Sequence, residues 1–185
     1  MSTTPHDATD AAEPVDLTPQ PGRTWCAVRT RARAEKQVQA YCLRVGVPVF
    51  LPLWRRERRY QRRRVVTTRP LFPGYVFVSL PVEGRAEIAQ HRLVASLLVP
   101  EPDLEGQLLR ELVDIRGLLS SGVETELIVA AQLEVGQVVE IRHGPLAGMR
   151  GIVDRRRGHA RVSVNVEMIG QSVSVELDAD ELDAC

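Results

Sequence analysis

The first two thirds of the chain alternate between short apolar runs and stretches with apolar residues at helical spacing. TWCAVRT (24–30) is a compact apolar run and predicts a buried strand. It is followed by RARAEKQVQAYCLRVG, in which Ala34, Val38, Tyr41, Cys42 and Val45 recur at helical spacing, and Gly46 and Pro48 end the helix. PVFLPLW and, beyond an arginine-rich stretch, YVFVSL predict extended segments bounded by Pro73-Gly74 and Pro81. Residues 84–91 predict a short helix and 93–99 another strand. A strong amphipathic helix follows, with Leu104, Leu108, Leu109, Leu112, Ile115 and Leu119 on one stripe and Gly122 as its stop signal. The order β, α, β, β, α, β, α implies an α+β unit, a mixed sheet with flanking helices.

After VETELIVAAQ the texture changes. Val162, Val164 and Val166, then Val173, Val175 and Leu177, alternate with polar residues, as half-buried strands require. Four or five such strands in so short a span predict a small β-barrel. The domain reading is therefore a disordered acidic tail over 1–22, an α+β domain over 23–120, a linker over 121–131 and a barrel over 132–185. The tail has little to bury.

Charge sharpens this division. The chain is formally neutral, yet residues 1–20 carry a net −4, 21–100 a net +12, 101–131 a net −5 and 132–185 a net −3. The basic first domain alone is suited to an anionic partner. Its densest stretch, WRRERRYQRRR (54–64), holds seven arginines: Arg55, Arg56, Arg58, Arg59, Arg62, Arg63 and Arg64. Lying between two extended segments, it predicts a β-hairpin basic on both faces, which leaves open either a phosphate contact or a merely solvated ribbon.

Catalytic chemistry finds no support. His6, His91, His143 and His159 are scattered, no nucleophile or carboxylate pair sits beside one at catalytic spacing, and there is no phosphate-cradling G-x-x-x-x-G-K. Cys26, Cys42 and Cys185 show neither a C-x-x-C nor a metal-ligand spacing. No signal peptide or membrane span is legible. The expectation is a soluble, cytoplasmic, monomeric binding protein without cofactor or metal.

Two motifs add a resemblance. RPLFPGYVFV (69–78), after WCAVRTRARAEKQVQAYC, resembles the N-terminal domain of NusG-type transcription factors. LEVGQVVEIRHGPLAGMRGIVD (133–154), with VSVNVEMIGQSVSVELDADEL behind it, is similar to the KOW domain that closes those proteins. The resemblance implies that Phe72, Pro73, Gly74, Tyr75 and Phe77 help to dock the clamp helices of the largest RNA polymerase subunit. From the pattern alone Tyr75 and Phe77 share one strand face and could equally be core. It implies also that the arginine run, with Arg29, Arg31 and Arg33 at the first strand-to-helix junction, meets upstream or non-template DNA, or nascent RNA.

In the KOW motif Gly144, Gly148 and Gly151 would permit positive φ between two strands and Pro145 would pre-set a turn. Ile169 stands where many relatives carry an aromatic, at an apolar tip implied to recruit Rho or a small-subunit ribosomal protein. The valine content favours a permanent barrel over a helical alternative. The acidic tail, the arginine density and Ile169 lean towards a specialised, operon-specific antiterminator of the RfaH kind. The rival readings are the housekeeping elongation factor and an RNA-binding KOW protein of the ribosome.

Overall fold

A computed structural model describes residues 15–60, 63–121, 128–131, 137–141, 146–156, 159–177 and 182–184. The first sheet contains β1 (Thr24–Thr30), β2 (Val49–Phe50), β5 (Tyr75–Leu80) and β6 (Val94–Leu98) in the order β2-β5-β1-β6. Helix α1 (Glu35–Arg44) joins β1 to β2, and α2 (Arg85–Gln90) joins β5 to β6. Each helix thus returns the chain to a strand one place removed, leaving a gap that an opposed strand fills. That split arrangement is why all the pairings are antiparallel, where the element order alone suggested a mixed sheet.

Strict alternation sorts the strands into two cores. Cys26, Val28, Val76 and Val78 face α1 and α2, with Val38 and Cys42 of α1 and Ile88 of α2 packed on them. Trp25, Ala27 and Phe77 face the other way, toward α3 (Glu105–Ser120). On α3 the buried stripe is Leu108, Leu109, Leu112, Ile115 and Leu118. Leu104, counted in the sequence stripe, precedes the helix and is exposed, while Leu118 was not foreseen.

PVFLPLW divides between sheets. After β2 the chain passes into β3 (Leu53–Tyr60), which among the described residues pairs only with β4 (Arg63–Pro70) as a two-stranded ribbon. The last sheet is antiparallel, ordered β12-β8-β9-β10-β11-β7, from β7 (Ile128–Ala131), β8 (Gln137–Ile141), β9 (Arg150–Arg156), β10 (His159–Val166), β11 (Gln171–Leu177) and β12 (Leu182–Ala184). The expected valine ladder is present, Val162 opposite Val175 and Val164 opposite Val173. Two boundaries shift. β7 lies within the span read as linker, because its backbone completes the edge of β11. Residues 15–22 are not a free tail: Leu17 is buried with Trp25, whose indole N–H donates to the Thr18 carbonyl at 3.3 Å. Residues 1–14 lie outside the described residues.

The apolar face of α3 serves both sheets. Trp25 and Phe77 of the first and Ile141, Met149, Val164 and Ile169 of the second belong to one buried cluster with it. A hydrogen bond from backbone to side chain crosses the same seam, Glu167 N–H donating to Glu111 Oε2 at 3.3 Å.

Candidate functional site

Cross-strand register assembles an apolar row on the α3 side of the first sheet. Phe50 of β2, Phe77 of β5, Ala27 of β1 and Leu98 of β6 stand side by side. One step along, Tyr75 stands opposite Arg29, which stands opposite Ser96. Tyr75 and Phe77 do share a face. Their environments differ: Phe77 is enclosed, edge-on to Phe72 with ring centroids 6.4 Å apart, whereas Phe50, Leu98 and Tyr75 are only half-buried against the cluster. Phe72, also enclosed, anchors the turn from beneath, while Pro73 is exposed. Of the five turn and strand residues singled out from sequence, Pro73 and Tyr75 therefore present side-chain surface.

The turn that launches Tyr75 is held from two sides. Gly74 has φ of 88°, a left-handed conformation that a side chain would strain. Its carbonyl accepts from Thr30 N–H at 2.8 Å, and its N–H donates to Glu35 Oε1 at 2.7 Å. Glu35 is a buried carboxylate in the first turn of α1, so a single side chain ties the helix start to this turn. Neither Glu35 nor the partners Phe50 and Leu98 were found from the sequence. Glu35 reads there as an ordinary exposed acid in a first helical turn, and Phe50 and Leu98 gain meaning only from register.

Arg29, Arg31 and Arg33 are all exposed and stand in three different local settings. Arg29 lies on the sheet face with Tyr75. Arg31 lies past the strand end, where its N–H donates to the Leu93 carbonyl at 2.8 Å and its Nε to the Arg92 carbonyl at 2.9 Å. Arg33 holds a positive φ of 59°, uncommon for a residue with a side chain. In the ribbon, β3 and β4 place Arg55 opposite Thr68, Arg56 opposite Thr67, Arg58 opposite Val65, Arg59 opposite Arg64 and Tyr60 opposite Arg63. The expected hairpin is thus present, and Arg62 lies outside the described residues.

In the second sheet Gly148 has the expected positive φ, 85°, and its N–H donates to the Ile141 carbonyl at 2.7 Å. Gly151 does not have positive φ. A Cβ there would lie 2.4 Å from Val162 Cγ1 and 2.9 Å from the Ser163 carbonyl oxygen, so what this glycine supplies is close approach of β9 to β10. Gly144 and Pro145 lie outside the described residues. Ile169, expected at an open tip, is buried in the cluster shared with α3, just before Gly170 with its φ of 60°.

Burial raises the thiols of Cys26 and Cys42 to about 11, which leaves both protonated and poor nucleophiles. Among the described residues no group of His, Cys, Asp and Glu is placed to hold a metal, and no helix is long and apolar enough to cross a membrane.

The profile of the family described as "Transcription termination factor nusG" matches residues 23–115. The chain is 27% identical over 184 residues to the transcription termination/antitermination protein NusG of Deinococcus radiodurans, covering 85% of this chain and 97% of that one. A solved structure reporting domain interaction in Thermotoga maritima NusG aligns at 23% identity with a TM-score of 0.48, covering 88% of this chain and 97% of the other.

Proposed function

Since the chain belongs to the NusG family, whose members are non-enzymatic transcription factors that bind RNA polymerase, we propose that its half-buried aromatic row docks the polymerase clamp helices. The observation that carries this reading is the row itself. Phe50 on one outer strand, Leu98 on the other and Tyr75 between them keep apolar surface partly open on the α3 side of a sheet whose opposite face is closed by α1 and α2. A helical tip lying in an apolar depression is a common recognition mode, and tyrosine is a favoured anchor because it joins apolar area to a polar end. Bound across the cleft, the protein favours the closed, elongating polymerase by differential affinity and performs no chemistry.

The arginine ribbon acts beside this as a grip on DNA or RNA held by the enzyme. Its composition supports that role: seven arginines within 54–64 give it cations enough for several phosphates. The second sheet recruits Rho or a small-subunit ribosomal protein through the tip at Ile169, which requires that tip to leave α3. The factor acts on a restricted set of operons as an antiterminator, a reading supported by the arginine density of the ribbon.

Tyr75→Ala is expected to weaken capture of RNA polymerase by the full chain about tenfold or more, in line with the loss of a central aromatic anchor. Unchanged capture would remove the reading. Occupancy confined to a few long operons in chromatin immunoprecipitation supports the specialised role, and occupancy of most transcribed genes replaces it with the general one.

A further inference from the structure

The face that carries Tyr75 also carries a cation. Arg29 shares its side of β1 with Trp25 and Ala27, and register sets it between Tyr75 and Ser96. It is exposed, and among the described residues its guanidinium has no ion pair or hydrogen bond, nor does the Tyr75 hydroxyl. Arg23, beside the same strand face, is already committed: its Nε donates to Ser79 Oγ at 3.3 Å and its second terminal nitrogen to the Ser79 carbonyl. Arg29 is thus one uncommitted, always-charged fork at the rim of an apolar row.

Such an arrangement is poorly matched to a nucleic-acid backbone. Phosphates are read by several cations in line, and here the flanking positions are a half-buried tyrosine and a serine. A lone guanidinium beside apolar surface suits one carboxylate, which it meets through two parallel N–H donors. The neighbouring phenol can donate a third hydrogen bond to the same group.

We propose that Arg29 belongs to the protein-docking face rather than to the nucleic-acid path, and that the helical tip received there carries a carboxylate beside an apolar side chain. The proposal rests on the reading of the Tyr75 row as the polymerase contact and specifies its chemistry. Arg31 and Arg33, beyond the end of β1, remain with the nucleic acid.

Two binding assays on the full-length protein test this, one with core RNA polymerase free of nucleic acid and one with a DNA duplex alone. Arg29→Glu is expected to weaken polymerase binding on the order of tenfold or more, as for a paired interfacial charge, with Arg29→Gln intermediate and duplex affinity within about twofold of wild type. Loss of duplex affinity in Arg29→Glu, with or without loss of polymerase binding, overturns the assignment. If Tyr75→Ala weakens polymerase binding and Arg29→Glu does not, the carboxylate partner is wrong and the docking reading stands. If Tyr75→Ala has no effect either, the docking reading itself falls. Circular dichroism of each variant confirms the fold, which an exposed position leaves undisturbed.

Discussion

Gly151 shows how a single residue can be read for the wrong reason. Its place in HGPLAGMRG suggests a turn that needs positive φ, and that holds for Gly148. At Gly151 the need is space, because Val162 Cγ1 stands where a Cβ would be. A sequence reports that glycine is required without saying which of its two properties is used. Gly151→Ala is expected to lower stability by about 1–3 kcal/mol through overpacking between β9 and β10, a loss that chemical denaturation would measure. Leu17 gives the complementary case. In a segment rich in proline, threonine and acids its neighbours in sequence offer it nothing to bury against, yet Trp25 and α3 supply the other wall. Leu17→Ala is expected to cost about 2–3 kcal/mol as a buried truncation, whereas a free tail would give no change in melting temperature.

At the scale of elements, periodicity served well where one face meets one core. The strands of the first sheet, β10 and β11 of the second and the three α-helices among the described residues lie close to the positions that alternation and helical spacing predict, and Val162 and Val175 pair as the ladder requires. It failed where identity depends on a distant partner. β7 is a strand because β11 offers an edge, and PVFLPLW splits because β2 follows the sheet while β3 follows the ribbon.

On α3 the amphipathic stripe was legible, but two acids beside it gain their character only from what covers them. Burial pushes Glu111 up to about 7, against the opposing effects of Gln107, whose amide donates to it at 3.0 Å, of the Glu167 N–H and of Arg110; the Glu167 carboxylate raises it further. Burial likewise pushes Asp114 up to about 6, opposed by Arg150 of β9. The packed state therefore keeps protons that the unfolded chain releases near pH 4. The contribution is most favourable below the unfolded values, declines as pH rises through about 6 and 7, and stays low above them. Glu111→Gln is expected to raise the melting temperature relative to wild type at pH 8 and to lose that advantage at pH 5. A constant difference across that range would show that ionisation of Glu111 is not involved.

At the scale of the molecule, the candidate docking face was partly legible. Tyr75 was found because LFPGYVFV marks it, and its sharing of a face with Phe77 follows from a period of two. Its neighbours Phe50 and Leu98 come from strands remote in sequence, and no local pattern announces their register. Covering is equally illegible: the stripe on α3 says that something packs on it, while Ile169, read as an open tip, proves to be part of that covering.

One helix lining two sheets also bears on how the protein is made. The chain reaches α3 before any strand of the second sheet exists, so during synthesis the nascent protein has a finished first sheet and a helix only partly clothed. Until β8 to β11 emerge, that helix bears apolar side chains with nothing to lie against, a hazard for association with other nascent chains and a foothold for chaperones. A chain that stopped at Ser120 and left the ribosome would be the molecule at its stickiest, and completion of the last strands ends that vulnerability as much as it adds a domain.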